Sequence, residues 1–229
     1  MPQMFSIDTE KWAPRGSYSA ADGRSGPVRV LHTPNHRGFK GTEFIVEAVE
    51  KLQAEGLQVE LVMLEGVPND EVCRTMAGVD IMAEQLIYSC YALSGIEGMA
   101  CGLPVMTNLA SEHQTRLYRR FSFLDECPIL STTPENVADN LRLLVTRPDL
   151  REALGRAGRA YAEKYHSYEA ARFLFESVYA RILDGRQVDL INLYHPVTSE
   201  HARIHERVRH PLVENRYVGG EAPALRAVG

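Results

Sequence analysis

Short apolar runs alternate with amphipathic stretches of helical period between Val28 and Leu183, and few folds accept such an order. Val28 to His32 reads as a strand. After a polar loop, Phe44, Ile45, Ala48, Val49 and Leu52 recur on one face of a helix from about Thr42 to Ala54. Val59 to Leu64 reads as a second strand, Asn69 to Met76 as a second helix and Val79 to Ala83 as a third strand. A buried helix starts near Ile96, and Pro104 to Thr107 and Pro128 to Ser131 supply two more strands. Thr133 is placed as an N-cap, with Pro134 at the first position of a helix running to about Val145. Asp149 to Lys164 and Tyr168 to Leu183 close the pattern with two helices.

Strands separated by helices pair in parallel and need helices on both faces, and right-handed crossovers bring them into one sheet. The expectation is an α/β fold: a single Rossmann-like, doubly wound parallel sheet over residues 28–183 with C-terminal helices. A linker-like segment, 1–27, precedes it, and an irregular tail, 184–229, follows.

The formal charge of -5 is spread along 229 residues without basic blocks, which argues against nucleic acid as a partner. No apolar run approaches the length of a membrane span, and the opening residues MPQMFSIDTE lack the basic-then-apolar order of a signal peptide. The expected location is cytoplasmic, with attachment at a membrane surface as a variant. Cys73, Cys90, Cys101 and Cys127 show no C-x-x-C spacing, so reduced thiols are expected rather than a zinc site. His201 and His205 lie one helical turn apart near His210, but no Glu or Cys completes a metal set, and a solvated tail helix is the expectation.

Two stretches carry chemistry. In SCYALSGIEGMACGLPVMTN, residues 89 to 108, a single carboxylate, Glu97, stands in a small-residue run where Gly98 and Ala100 let backbones approach closely. Gly102 ends that helix before Pro104. In the loop HTPNHRGFKG, Arg37 and Lys40 stand beside Gly38 and Gly41 at a helix N-terminus, where cations and backbone N–H groups together suit a diphosphate. Taken alone, the loop is equally a solvated basic loop, and the plainer reading of Glu97, the less favoured one, is a helix carboxylate that complements the dipole.

The words of these stretches resemble a known family. Ile96 to Val105 is similar to the signature E-A-M-A-x-G-x-P-V of the retaining glycosyltransferases of family 4. FSIDTEKWAP resembles the linker entering the C-terminal, donor-binding half of these two-domain GT-B enzymes, HTPNHRGFKG its first loop, and EKYHSYEAARFLFESVYARIL its closing helix. The resemblance covers roughly Phe5 to Leu183 and stops there. It implies a glycosyltransferase of hexosyltransferase type, with a nucleotide-sugar donor as substrate and with no metal or other cofactor. Lys40 and Arg37 would hold the donor diphosphate as the catalytic cations, and Glu97 the ribose. Gly38, Gly41 and His36 of the first loop, Glu65 and Pro68 after the second strand, and Ser89, Tyr91, Ala92 and Leu93 would line the donor site.

The chain departs from the family at two places. Ser89 stands where the common form has a first Glu, separated from the second by seven residues, and Ala92 replaces a Gly. If position 92 needs a positive φ, Ala92 is strained there. EQLIY, from Glu84 to Tyr88, resembles a D-Q-L stretch in relatives that lack the first Glu. A whole GT-B enzyme also has an acceptor-binding half, for which there is no room before Phe5, so a second polypeptide or a homo-oligomer is the implied partner. The alternative is an inactive GT-B-like binding or scaffold subunit.

Overall fold

The computed structural model describes residues 5–121, 124–195 and 198–212. Within them, strands β1 (Val28–His32), β2 (Val59–Met63), β3 (Ile81–Ala83), β4 (Val105–Thr107) and β5 (Leu130–Ser131) form one parallel sheet in the order β2-β1-β3-β4-β5. The helices are α1 (Arg37–Lys40), α2 (Thr42–Ala54), α3 (Asn69–Met76), α4 (Leu93–Ala100), α5 (Glu112–Phe121), α6 (Val137–Thr146), α7 (Pro148–His166), α8 (Tyr168–Ile182) and α9 (Glu200–Ile204).

Side chains on successive strand residues point to opposite faces, and here both faces are buried. Val28, Val30, Ile81, Ala83 and Met106 join α2 and α6 in one apolar cluster. Leu31, Met82 and Val105 join α4 and α7 in the other. The doubly wound α/β architecture expected from the alternation of apolar runs is therefore present. Gly98 makes one of its contacts possible, because a Cβ there would lie 3.2 Å from side-chain carbons of both Met82 and Val105. The helix ends as the sequence implies: Gly102 takes φ +73 and donates to the Met99 carbonyl, while Leu103 donates to that of Gly98.

Three local expectations change. The Glu97 helix begins at Leu93, three residues before Ile96, because tertiary contacts rather than propensity hold its glycine- and serine-containing first turn. Thr133 does not cap a helix at Pro134; its amide donates to the Asn136 side chain in a turn, and α6 starts at Val137. The tail helix is solvated as expected except at one residue. His201 of α9 is 2% exposed and stacks among Tyr165, Phe173 and Tyr194, where burial pushes its pKa down to about 4.

The segments flanking the sheet domain are lashed to it. Arg159 donates to the carbonyls of Thr9, Trp12 and Ala100, and Ile7 pairs with His166 and Ser167. On the other side, the buried carboxylate of Glu126 accepts from Lys164, Tyr165 and the amide of Val208, which fixes the tail as far as Leu212. The rest of the expected tail, 213–229, lies outside the described residues.

Arg151 is the strongest of these ties. Its guanidinium is 2% exposed and donates to the carbonyls of Ser19, Ala21, Leu144 and Val145. Replacing it by Met strands buried carbonyls at a cost of about 1–3 kcal/mol each where water cannot reach them. Arg151→Met is therefore expected to lower unfolding free energy by at least about 3 kcal/mol in urea titrations; a loss under about 1 kcal/mol would show the segment 15–27 to be held by other contacts.

Candidate functional site

The chain runs from β1 outward to β2 and then returns past β1 to β3, so the connections leaving β1 and β3 diverge. At such a reversal the carboxyl ends of the two strands leave an open crevice between loops, the usual ligand position in open α/β sheets. His32 ends β1 and Glu84 directly follows β3. His32 is fully buried; its Nδ1 lies 2.8 Å from the Ala83 carbonyl and its Nε2 2.9 Å from the Thr42 hydroxyl. The carbonyl only accepts, so Nδ1 carries the proton and Thr42 donates to Nε2. Burial pushes the His32 pKa down to about 4, which keeps the ring neutral as a strut between the two strands and α2.

The basic loop folds differently from an open turn. His36 caps a single helical turn by accepting from the Phe39 amide, and Gly41 ends it at φ +69, returning its N–H to the Arg37 carbonyl. Four residues separate this stop from the cap, enough to turn Lys40 inward. Lys40 is 6% exposed, and its Nζ lies 3.4 Å from both Glu84 Oε1 and Ser94 Oγ. The same carboxylate oxygen accepts from the Ala92 amide at 2.9 Å and from the Ser94 hydroxyl at 3.0 Å. One acidic side chain thereby joins α1 to the first turn of α4. The amides of Leu93 and Ser94 in that turn meet no acceptor among the described residues.

Arg37 faces elsewhere. It forms a two-point ion pair with Glu65, with Nε to Oε1 at 2.9 Å and Nη2 to Oε2 at 2.5 Å, bridging the loops after β1 and β2. Gly38 sits in the turn without a positive φ, its place for a Cβ facing the His36 ring. Pro68 precedes α3, and Asn69, the first residue of that helix, donates to Glu97 Oε1 at 3.3 Å. Glu97 is 5% exposed and lies in the second turn of α4, directed toward the start of α3.

The loop from Ser89 to Leu93 divides its residues between core and crevice. Ser89 is buried; its hydroxyl accepts from the Ser111 amide at 3.0 Å and lies 3.4 Å from the Asn108 carbonyl. Tyr91 points into the core, with its hydroxyl 3.0 Å from those of Tyr161 and from His166 Nε2. Ala92 is extended at φ -110, so no strain arises there; the positive φ of the loop falls on Cys90 at 141°. Leu93 stays exposed at the mouth. Lys40 thus meets the first turn of α4, Glu97 one turn further along that helix meets Asn69, Arg37 and Glu65 pair with each other, and Tyr91 turns away. Glu84 and Asn69 complete the constellation and were not singled out from sequence as site residues; the resemblance of the stretch from Glu84 to Tyr88 to D-Q-L was the available signal for Glu84.

A separate cleft of about 580 Å³ opens between α8 and the tail, lined by residues that include Phe173, Ser177, Arg186, Leu193 and Arg203. It shares no residue with the crevice. Among the described residues no group of three or more His, Cys, Asp or Glu is placed to hold a metal ion, and no helix is long and apolar enough to cross a membrane.

Desolvation raises the Glu97 pKa, with a smaller contribution from the charge of Glu84, against the Asn69 hydrogen bond that lowers it. An acid whose pKa is raised by folding contributes most to stability when protonated and loses that contribution as pH rises through the folded value. Ionised Glu97 therefore burdens the unliganded fold at neutral pH. Glu97→Gln is expected to melt above the wild type at pH 7, and this gain should vanish as pH falls below about 4; an equal gain at both pH values would remove the charge from the explanation.

Comparison with known proteins bears on the whole arrangement. A family model described as glycosyl transferase-like matches residues 42–174, more than half of the chain. No curated protein matches in sequence. Among solved structures, a glycosyltransferase from Rickettsia africae superposes with TM-score 0.56 at 14% identity, over 80% of this chain and 57% of that one. Alr3699/HepE of Anabaena, solved in complex with UDP, gives 0.51 at 14% identity over 76% and 55%. The C-terminal domain of the group 1 glycosyl transferase LpcC from Francisella tularensis gives 0.48 at 16% over 70% and 99%. The chain thus spans little more than half the length of the first two, with which it shares the fold. By the family match, the chain belongs to the glycosyl transferase-like family.

Proposed function

We propose that the chain binds the donor of a retaining glycosyl transfer, a sugar linked to a nucleoside diphosphate, in the crevice at the carboxyl ends of β1 and β3. The observation that carries this reading is the convergence of the Lys40 ammonium with two unengaged amides at the N-terminus of α4. Cations and helix N-termini suit phosphate oxygens, and in a bond-breaking step they neutralise the charge that grows on a leaving diphosphate. No metal is required in this scheme. Lys40 meets the diphosphate directly. Arg37 joins it by exchanging Glu65 for phosphate, an exchange favoured by the exposure of both side chains.

Glu97 takes the ribose hydroxyls. Two carboxylate oxygens match a pair of adjacent hydroxyls, and the single bond to Asn69 leaves capacity to accept more. The loop from Glu65 to Pro68, beside the start of α3, receives the base. The acceptor is held by a second half of the active site, outside the sheet domain described. Donor binding without turnover is the second reading, and the geometry of Ser89 favours it: the hydroxyl at that position is occupied with Asn108 and Ser111 inside the loop.

Calorimetric titration with UDP, GDP and their sugars tests the proposal, with micromolar binding expected for at least one nucleotide. Lys40→Ala should weaken that binding by about one to two powers of ten, given about 1.5–3 kcal/mol for a hydrogen bond to a charged group. Unchanged affinity would remove Lys40 from the site, and failure of every nucleotide would remove the donor reading. Sugar transfer by the binding-competent protein, assayed with and without co-purifying chains, separates the enzyme from the non-catalytic reading.

A further inference from the structure

Glu84 is a carboxylate wholly out of water: its side chain has 0% exposure. Its two oxygens are treated very differently. Oε1 carries all the interactions, from Lys40, Ser94 and the Ala92 amide. Oε2 is buried without any hydrogen-bond partner and presses on the backbone of α4, so that a Cβ at Gly95 would lie 2.5 Å from it. A buried carboxylate with an unanswered oxygen is costly, and a merely structural link between α1 and α4 would be made as well by a neutral amide. The carboxylate's charge is what an amide lacks, and that charge faces the one place in the crevice where an anion is drawn by Lys40 and by the amides of α4.

We propose that Glu84 is a positioning residue that sets how tightly the crevice holds phosphate. It fixes the Lys40 ammonium through Oε1 and opposes any phosphate that the ammonium attracts. Lys40 lies at 3.4 Å from both of its partners, longer than a close charge-assisted bond, so its donors are anchored yet available to a third oxygen. A bound diphosphate then shares Lys40 with Glu84, and repulsion between the two anions limits affinity and speeds release. The inference rests on the donor-site reading and adds to it a second, opposing group. Gly95 belongs to the same device, because only a residue without Cβ admits the carboxylate against the helix.

The test compares two variants by calorimetry with UDP, GDP and inorganic pyrophosphate, with circular dichroism melting as the check on folding. Glu84→Gln keeps an oxygen for Ala92 and Ser94 but removes the charge, and is expected to bind the diphosphates about tenfold more tightly, as loss of one nearby like charge at intermediate dielectric implies. Glu84→Asp keeps the charge and is expected to bind no more tightly than wild type. A structural role alone would weaken binding in both variants, and that parallel loss, or unchanged affinity in Glu84→Gln, would overturn the inference while leaving the donor site standing. Should Glu84→Gln not fold, Lys40→Met with Glu84→Gln, compared with Lys40→Met alone, carries the same test; the double variant is expected to bind more tightly, and equal or weaker binding overturns the inference. Absence of diphosphate binding in the wild-type chain would overturn the donor reading and this inference with it.

Discussion

A carboxylate taken fully out of water has to be answered from within the protein, and Glu84 is answered by three groups on two different elements. The Lys40 ammonium arrives from α1, and the Ala92 amide and Ser94 hydroxyl arrive from the entry to α4. Lys40 can reach inward only because Gly41 stops α1 after one turn in a conformation that L side chains rarely adopt. The entry to α4 sits there only because Gly98 lets the helix lie against β3 and β4. The crevice therefore depends on backbone positions that look unremarkable one at a time. Its location depends on the sheet order, which parts the loops after β1 from those after β3.

The remaining structure supports that geometry from below. Two apolar clusters fix the sheet between its helices, and the buried Arg151 and half-buried Arg159 exchange water for carbonyls of the segment before β1. The ion pair of Lys164 and Glu126 plays the same part for the tail, and it places His201 in an aromatic box. Such ties cost desolvation and return specificity of placement, since each guanidinium or ammonium accepts only a few arrangements of carbonyls and carboxylates.

Much of this was legible in the sequence where one residue type decides the outcome locally. The helices Thr42–Ala54 and Asn69–Met76 follow from spacing alone, and Gly102 ends α4 as its position before Leu103 and Pro104 implies. Apart from Thr133, which turns to Asn136 three residues on, the failures involve partners distant in the chain. Val79 and Asp80 look like strand but precede it, because the Asp80 carboxylate accepts from the Arg29 amide of the neighbouring β1. Leu93 to Gly95 are helical because Glu84 holds their entry, which no local propensity encodes. Strain expected at Ala92 falls on Cys90, whose amide and carbonyl are tied to Asn108 and Gln85. Within the candidate site, Lys40 and Glu97 are the residues that motif and residue type single out. Glu84 is not among them, because its meaning lies in what it faces. Arg37 was legible as a cation, but its engagement with Glu65, twenty-eight residues away, was not.

The central claim is that phosphate-bearing ligands enter between α1 and α4 at the carboxyl ends of β1 and β3. Amide chemical-shift mapping with UDP and GDP tests it directly. The account predicts that the largest changes fall on Gly41, Thr42, Ala92, Leu93 and Ser94, with smaller ones at Glu65 and Asn69. Changes confined to the cleft between α8 and the tail, around Ser177 and Arg203, would contradict it.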